Sequence, residues 1–433
     1  MNSNPYLESV GLDPKDYSRI EGPIQNGDEL VFEVWEERAH GLKCPECGCC
    51  EYDVHHHYCC TLNLRSRVIK AEIGIIHRIV YRCRHCGKTF TKPMHGIQPG
   101  DKLTYPEKMA IDSELLSKQT FSAVARAHRV SVTEVVNVFD AMHPKVQGKK
   151  LPKILCIDEF KFKTWAGKYV CHLVDFDTSE SLDLIISRQK AYLDEFFSRK
   201  DKAEREGVRY LITDMYDEYA AMAKKWLPNA TIVVDRFHVV KQLTEAVNSL
   251  RVIAMAKAPE GSALRNFMKS RWKLFLCRSR EVPDKWYVSR KTGESWHYDE
   301  MIKESLKLDE DLKQGYDTLQ ELLALMRTKM THEEAVRDVE FMAVKLRNCR
   351  SEKLKKVGDT YDKWKNGIAM GLAKNELGAV LSNARMEAAN DVAQTEIDSA
   401  YGYGSFDRMR RKFLLTRWKT KEEESRGKRR GRL

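Results

Sequence analysis

The 433-residue sequence lacks long apolar runs, glycine-rich phosphate loops and internal repeats. No apolar run reaches the roughly 18 residues that a membrane helix needs. The opening residues, MNSNPYLESVG, lack the basic and apolar regions of a secretory signal, so we expect a cytoplasmic protein without a membrane span. The missing glycine loop argues against a P-loop nucleotide site. Wholesale disorder is excluded because 42% of the residues are hydrophobic and 9% are aromatic.

Acidic residues are fewer than basic ones, at 63 against 74, which gives a net charge of +11. An excess of this size fits a polyanionic partner such as nucleic acid, although it bears on association and not on fold. The length allows about two to four domains, at least one of them with a sizeable core.

Cysteines are too unevenly spread for a disulfide scaffold, because eight of the twelve lie between Cys44 and Cys86. Cys44-Pro-Glu-Cys47-Gly opens this stretch and Cys83-Arg-His-Cys86-Gly closes it. Two C-x-x-C pairs across a strand-rich spacer are typical of a zinc ribbon, in which four thiolates hold one Zn²⁺ ion. We therefore predict a structural zinc ribbon in a reducing cytoplasm, with these four cysteines as ligands.

The same stretch carries further cysteines and a run of three histidines. They are Cys49, Cys50, Cys59, Cys60, His55, His56 and His57. These residues either form a second metal site or are loop residues beside the first one, and the sequence leaves both interpretations open.

Two short helices around a tight turn are predicted by the segment FSAVARAHRVSVTEVVNVFD. Ser131-x-x-Glu134 is typical of a capping box, which places the start of the second helix near Val132. Helices with this spacing form a helix-turn-helix, whose second helix would present Thr133 and Asn137 to a DNA groove. An ordinary helical hairpin is the alternative.

Two aspartates follow apolar, strand-like runs, and a glutamate lies far downstream in a helical segment. The runs are KILCID, which ends at Asp158, and VRYLITD, which ends at Asp214, and the glutamate is Glu387 in SNARMEAAN. A carboxylate at a strand end is held rigidly at the rim of a sheet, where a hard cation such as Mg²⁺ can bind. Each acid alone is most simply a solvated residue, so the weight comes from the order of all three along the chain.

From residue 153 the predicted order of elements is β-β-β-α-β-α-β-α, followed by a charged helical stretch. This is the order of the ribonuclease-H-like fold, in which the first and fourth strands are neighbours and bring two carboxylates together. We therefore predict an α/β fold, a ribonuclease-H-like mixed sheet interrupted by an all-helical insertion and preceded by a zinc ribbon and a helix-turn-helix.

Several segments along most of the chain resemble DDE transposases of the bacterial insertion-sequence ISL-three family. They are the cysteine ribbon, the helix-turn-helix, CIDEFKF, LITDMYDEY, PNATIVVDRFHVVK, SNARMEAAN and AYGYGSFDRMRRKFLL. The resemblance implies that Asp158, Asp214 and Glu387 are the catalytic metal-binding triad. It also implies two Mg²⁺ ions, with Mn²⁺ as a substitute, for DNA strand cleavage and strand transfer.

The partners implied by the resemblance are double-stranded DNA, at terminal inverted repeats and at target sites, and further copies of the chain in a homodimer or larger assembly. The implied location is the bacterial nucleoid. The function predicted is thus an insertion-sequence transposase. The alternatives are a transposase-derived regulator that binds DNA without cutting it, and a nuclease of the same fold.

Four further residues are candidates for supporting the implied triad. Asp235 also ends a strand and precedes His238 by three residues. We interpret both as supporting the active site, with a direct ligand role for Asp235 and a core role for His238 as alternatives. Asn383 and Asn390 flank the glutamate and would hold its helix or contact the DNA backbone.

Basic residues are dense near the end of the sequence. Arg408, Arg410, Arg411 and Lys412 are candidates for contacts with DNA phosphates, with a merely solvated helix face as the alternative. Beyond Leu415 the segment TRWKTKEEESRGKRRGRL has little apolar content, so we expect a disordered tail.

These predictions give a plan of consecutive segments. They are an N-terminal lead (1–38), the zinc ribbon (39–100), the helix-turn-helix (101–148), the first part of the ribonuclease-H-like core (149–240), the helical insertion (241–375), the final core helices with the glutamate (376–416) and a basic tail (417–433).

Overall fold

Two compact units make up the chain. The computed structural model describes residues 5–66, 70–97, 100–289, 293–373, 381, 384–399 and 404–430. The first unit consists of Met1–Gln147 and Glu396–Leu433, and the second consists of Gly148–Thr395. The first unit therefore combines both ends of the chain, and the predicted final core segment (376–416) is divided between the two units.

The first unit begins with a five-stranded sheet and continues with three helices. The elements are α1 (Pro5–Ser9), β1 (Tyr17–Asn26), β2 (Glu29–Glu36), β3 (Tyr52–Ser66), β4 (Ala71–Cys83), β5 (Thr89–Thr91), α2 (Tyr105–Leu115), α3 (Phe121–Ala127) and α4 (Val132–Met142). The strand order is β1-β2-β4-β3, and β5 also pairs with β4. β2 and β4 run parallel, and the other neighbours are antiparallel.

The predicted N-terminal lead is not separate from the ribbon, because it supplies two strands of this sheet. Gly27 and Asp28 form the two-residue turn between β1 and β2, and Gly27 takes φ +56° there. Phe32 and Val34 of β2 are buried in a cluster that also includes Ile76 of β4. The turn and the apolar alternation of LVFEVW were sequence signals for this hairpin.

The three helices pack around their own apolar cluster, which includes Val124, Val135 and Phe139. The Thr120 and Ser131 hydroxyls cap α3 and α4 by accepting hydrogen bonds from backbone N–H groups in the first turns. Two short helices around a tight turn are thus observed where the sequence predicts them.

The second unit contains a five-stranded sheet and a large, mainly helical part. Its elements are β6 (Ile154–Thr164), β7 (Gly167–Asp175), β8 (Ser181–Ile185), α5 (Lys190–Ser198), α6 (Lys202–Gly207), β9 (Tyr210–Thr213), α7 (Asp217–Trp226), β10 (Thr231–Val234), α8 (Arg236–Lys257), α9 (Ala263–Ser270), β11 (Trp286–Val288), β12 (Ser295–His297), α10 (Tyr298–Lys307), α11 (Glu310–Leu325), α12 (His332–Arg347), α13 (Glu352–Leu372) and α14 (Ala384–Ser399). The last residues of α14 belong to the first unit.

The strand order β10-β9-β6-β7-β8 is the ribonuclease-H-like order that the sequence predicts. β6 and β9, the first and fourth strands, are neighbours and parallel, as are β9 and β10, whereas β7 is antiparallel to both β6 and β8. Alternate residues of β6 face different helices. Leu155 and Ile157 share a cluster with residues of α5 and α7, whereas Cys156 packs with Met386 and Ala389 of α14.

The sequence predicts an all-helical insertion, but β11 and β12 form a short hairpin within it. Its expected start after residue 240 falls inside α8, a single helix that carries the chain from the sheet into the insertion. At the far end, α13 lies directly on β10. A Cβ atom at Gly371 would come within 2.4 Å of the Val234 carbonyl oxygen, so this close approach requires glycine.

A long C-terminal helix, α15 (Phe406–Arg430), replaces the disordered tail that was predicted from residue 417. Its first turns bury Met409, Phe413 and Leu414. Beyond that anchor, residues of high helix propensity extend the helix, and Arg426 lies 3.9 Å from Glu422 one turn earlier. The composition of the polar segment did not predict this helix, because the buried residues that hold the helix in place come before that segment.

Candidate active site and cysteine cluster

Three aspartates lie in one row at the carboxyl ends of neighbouring parallel strands. Cys156 of β6 pairs with Ile212 of β9, which pairs with Val233 of β10. Two residues after these positions come Asp158, Asp214 and Asp235. Because neighbouring strands lie about 4.8 Å apart and residues two apart share a face, these three carboxylates, the aspartate row, are brought together on one face.

The sequence predicted that the first strand ends at Asp158, but β6 continues to Thr164. β9 pairs only with Ile154–Cys156 of β6, so Asp158 lies just past the part of the strand that β9 covers. The aspartate is therefore at the rim of the parallel pair even though its own strand goes on.

Helix α14 lies against the face of the sheet that carries the aspartate row. Met386 and Ala389 pack in the same cluster as Cys156 and Ile212. Asn390, on the same helix, donates a hydrogen bond from Nδ2 to Oδ2 of Asp158 over 2.9 Å. This bond joins the helix of the predicted glutamate to the first predicted aspartate.

The Asn390 amide is oriented by a buried hydrogen-bond chain. Its Oδ1 atom lies 2.9 Å from Nδ1 of His172, and Nε2 of His172 lies 2.9 Å from the Ser181 hydroxyl. Since the Asn390 nitrogen donates to a carboxylate, its oxygen accepts from His172 Nδ1–H, and the imidazole accepts from the hydroxyl. Sequence reasoning missed this chain; its one signal is the register, in which His172 of β7 pairs with Asp158.

Glu387 lies one turn before Asn390 and is half-buried. Its pKa is raised, first by burial and then by the negative charge of Asp235. Among the described residues, Asp158, Asp214 and Glu387 are not a group whose ligand atoms all lie within 4.8 Å of one another. Ligands about 2.1 Å from one Mg²⁺ ion would lie within about 4.2 Å of each other, so this is not a single-ion cage.

Burial and repulsion make the aspartate row hard to ionise. The pKa of Asp158 is raised to about 6, mainly by burial and to a smaller extent by Glu159 and Asp235. The pKa of Asp214 is raised to about 7 by burial and then by Glu159 and Asp158. Oδ1 of Asp214 is buried and accepts no hydrogen bond from the described residues. A buried carboxylate oxygen without a donor fits a metal ligand, because a cation would supply the missing partner.

Asp235 and His238 form a pair at the start of α8. Asp235 is 2% exposed, and its backbone N–H donates to the Thr213 carbonyl over 2.9 Å, which fixes it beside Asp214. Nδ1 of His238 lies 3.0 Å from Oδ2 of Asp235, and this hydrogen bond raises the His238 pKa. A protonated imidazole here offsets part of the negative charge of the row.

Glu159 follows Asp158 but belongs to the other face of the sheet. It accepts a hydrogen bond from the Tyr219 hydroxyl over 2.7 Å, and Nη1 of Arg188 lies 3.3 Å away. These neighbours hold Glu159 among α7 residues, away from α14. Asn383, the remaining predicted residue of the site, lies outside the described residues.

The four predicted zinc ligands form a compact cluster. Sγ atoms lie 3.6 Å apart in both the Cys44–Cys86 and the Cys47–Cys83 pair, and all four lie within 4.8 Å of one another. The two knuckles are alike, because Gly48 and Gly87 take φ +72° and +75° and donate to the carbonyls of Cys44 and Cys83. The backbone N–H of Cys86 lowers the pKa of Cys83 to about 6. The cluster therefore fits a structural Zn²⁺ ion.

The family model DDE_Tnp_ISL3, described as a transposase, matches residues 155–413, more than half of the 433 residues. The chain belongs to the ISL-three family of DDE transposases. This finding confirms the resemblance, and it makes the chain a DNA-transposition enzyme with DNA as its partner. No curated protein matches this transposase.

The extra cysteines and histidines of the transposase do not form a second cluster in the described part of the chain. There, the four-cysteine cluster is the only group of three or more potential ligands within 4.8 Å. Sγ of Cys59 lies 3.3 Å from Nδ1 of His77, and Nδ1 atoms of His55 and His56 lie 2.6 Å apart. The first contact joins β3 to β4, where Nε2 of His77 also lies 3.1 Å from Oε2 of Glu33, and the second lies within β3.

The two predicted groove-facing residues of the transposase, Thr133 and Asn137, are both exposed on α4. On the other side of α4, Asp140 accepts hydrogen bonds from Arg408 and Arg411 of α15 over 2.7 and 2.8 Å. These two arginines thus fasten α15 to α4 within the protein.

The other two basic candidates are also held within the protein. Arg410 donates to the Val146 carbonyl over 2.9 Å. Lys412 is 6% exposed, and burial lowers its pKa while Glu396 opposes that shift. All four basic candidates are thus held by contacts or burial within the protein, and their phosphate contacts stay a prediction. Among the described residues, no helix has the length and apolar character required to cross a membrane.

Proposed function

We propose that this transposase binds the terminal inverted repeats of its insertion sequence and performs Mg²⁺-dependent strand cleavage and strand transfer. Asp158, Asp214 and Glu387 are the proposed catalytic triad. The observation that carries the proposal is the aspartate row with α14 docked on the same face through Asn390. The buried Oδ1 atom of Asp214, which has no hydrogen-bond donor among the described residues, supports it.

The roles of the side chains follow from their contacts. The triad would hold Mg²⁺, or Mn²⁺ in its place, as hard oxygen ligands. When bound there, paired ions would supply activation of a water or a DNA 3′-hydroxyl and charge neutralisation at the leaving oxygen. Asn390 fixes the orientation of the Asp158 carboxylate, and His238 orients Asp235 and offsets negative charge.

DNA recognition is assigned to the first unit. We place α4 in the major groove, where the exposed Thr133 and Asn137 would contact base edges. The cysteine cluster would hold Zn²⁺ to keep its part of the sheet folded. Because two inverted repeats must be brought together, we also propose a homodimer or larger assembly.

The test is a cleavage assay on duplexes of the DNA that flanks this coding sequence, with Mg²⁺ and with Glu387→Ala as the main variant. We expect wild type to nick the repeat end, and Glu387→Ala to bind the same DNA with a cleavage rate at least about a thousandfold lower. Asp391→Ala is the matched control, because Asp391 is an exposed acid on the same helix and should be dispensable for cleavage.

Binding without cleavage by wild type would contradict the proposal and favour a DNA-binding regulator. Cleavage that survives Glu387→Ala would remove the glutamate from the triad. Nicking without any strand-transfer product would favour a nuclease of the same fold.

A further inference from the structure

An exposed aromatic side chain lies beside the aspartate row. Phe237, in the first turn of α8, is 53% exposed and comes two residues after Asp235. Its ring meets the His238 ring edge-on, with centroids 5.6 Å apart. Since His238 is hydrogen-bonded to Asp235, the Phe237 ring is separated from the row by a single side chain.

A lysine accompanies this ring. Lys241 lies one turn further along α8, and its Nζ atom is 5.9 Å from the centroid of the Phe237 ring. In the part of the chain that the structure describes, Lys241 forms no ion pair with an acidic residue. The α8 N-terminus therefore presents an apolar ring and an uncompensated positive charge together.

A second phenylalanine–lysine pair in the molecule shows what is particular about the first. Phe341 on α12 is 62% exposed, and Nζ of Lys345 lies 5.3 Å from its ring centroid, again one turn apart. There, however, Glu321 binds the lysine ammonium over 2.6 Å. The pair on α8 differs in two ways: its lysine forms no ion pair among the described residues, and candidate metal ligands lie next to it.

We propose that Phe237 and Lys241 form a subsite for the DNA strand under attack, in which the ring stacks on a nucleobase next to the scissile phosphate and the ammonium contacts a backbone phosphate. This inference rests on the proposed function, because the aspartate row must hold the phosphodiester. Every base has a π-face, so such stacking tolerates any sequence at the cleavage point. Successive bases of one strand lie about 3.4 Å apart in a duplex, so a base beside the bound phosphate is within reach of a ring at the rim.

A nucleobase suits this place better than a protein side chain does. An isolated exposed phenylalanine alone would need no partner. Here the neighbouring charges are acids that would hold a phosphate through metal ions, and a lysine, without an ion pair in the described part of the chain, that would bind the next phosphate directly. Along the chain, Phe237 lies between Asp235 of the row and Lys241. This order matches a nucleobase that lies between two successive phosphates of a strand.

The experiment uses the full chain and a repeat-end duplex with 2-aminopurine placed in turn on each side of the mapped scissile phosphate. Ca²⁺ replaces Mg²⁺ so that binding occurs without cleavage. We expect wild type to change the probe emission at one of these positions, Phe237→Ala to abolish that change, and Phe341→Ala, the matched control, to leave it intact. In Mg²⁺, Phe237→Ala should lower the cleavage rate about tenfold, and Phe237→Tyr should restore it.

The outcomes separate this inference from the proposed function. If wild type did not cleave the duplex in Mg²⁺, both the proposed function and the subsite would be wrong. Cleavage that depends on Glu387 but is equal in wild type and Phe237→Ala, with the same probe emission, would overturn the subsite alone. Equal losses in Phe237→Ala, Phe237→Tyr and Phe341→Ala would also overturn it, because a stacking ring must be replaceable by another ring. Equal melting temperatures would show that the exposed side chain is not needed for folding.

Discussion

The cysteine cluster and the aspartate row are both built from ionisable side chains, but only the first is closed. Its four sulfur atoms lie within 4.8 Å of one another and come from two knuckles of the same shape. Four ligands around one ion leave no open position for a substrate. The aspartate row draws on three strands and a helix far along the chain, and one of its buried oxygens lacks a donor among the described residues.

The difference separates a site that stabilises the fold from one that costs stability. Thiolates around Zn²⁺ contribute folding free energy, because the complete ligand set exists only in the folded chain. Burial, and after it repulsion between neighbouring carboxylates, raises the pKa values of Asp158 and Asp214, so ionising these groups costs folding free energy. A bound cation would relieve this unfavourable charge, so the row would favour cations and, through them, a phosphodiester.

The largest expected effect is the loss of zinc from the cysteine cluster. We expect one Zn²⁺ per chain, and Cys83→Ser should remove it and unfold the knuckles, since such sites contribute on the order of 10 kcal/mol in small zinc domains. Metal analysis and limited proteolysis of residues 39–91 measure both effects. The sheet core around Val34 and Ile76 should persist, because it is built from apolar side chains.

Cys59→Ser is the control for this experiment, since Cys59 is exposed and outside the cluster. It should leave the zinc content unchanged. Two zinc ions per chain, or one that survives Cys83→Ser, would contradict the closed-cluster interpretation and reopen a second site among the extra cysteines.

A smaller effect is expected where the aspartate row meets α14. Asn390→Ala removes the donor to Asp158 and ends the hydrogen-bond chain from His172. Partners of this kind typically change metal affinity or activity about 10- to 100-fold. We therefore expect slower cleavage and a higher Mg²⁺ requirement, with repeat binding unchanged in a gel-shift assay.

Asn390→Asp sharpens this test, because it exchanges the donor for a second negative charge beside Asp158. Its loss should exceed that of Asn390→Ala if the amide acts through the carboxylate. Equal rates in wild type and both variants would show that α14 is held by its apolar contacts alone.

How far the sequence predicted each site depends on how local the site is. The cysteine ligands follow from spacing within five-residue knuckles, and the structure brings the same four together. The aspartates could be found because parallel neighbours place their carboxyl ends at one edge, which element order alone determines. Glu387 depended on the family resemblance, since nothing local distinguishes it from other helical acids.

What the sequence did not predict comes from long-range contacts. The link from Asn390 to His172 joins residues more than two hundred positions apart, and only the strand register indicates it. The burial of Arg411, which donates to Asp140 of α4, likewise depends on tertiary packing that the basic run alone does not reveal. Composition describes a segment, whereas burial is decided by what the segment packs against.

The smallest predicted effect is a gain in stability when the aspartate row loses a charge. The folded-state pKa values of Asp158 and Asp214, about 6 and about 7, exceed the ordinary value of 3.8. Between the ordinary pKa of 3.8 and the raised pKa of each group, the folded protein holds a proton that the unfolded chain releases. The stability from these groups is therefore full below pH 3.8 and is lost as pH rises through 7.

Asp214→Asn cannot ionise, so the metal-free variant should be more stable than wild type at about pH 8, by roughly 1–2 kcal/mol, and equal to it at about pH 4. Urea titrations in a chelator measure this difference, and Mg²⁺ should reduce it by stabilising wild type alone. The exposed Asp391→Asn should show no such pH dependence. If Asp214→Asn were instead less stable at about pH 8, the carboxylate would have an internal partner, and the aspartate row would resemble the cysteine cluster as a site that stabilises the fold.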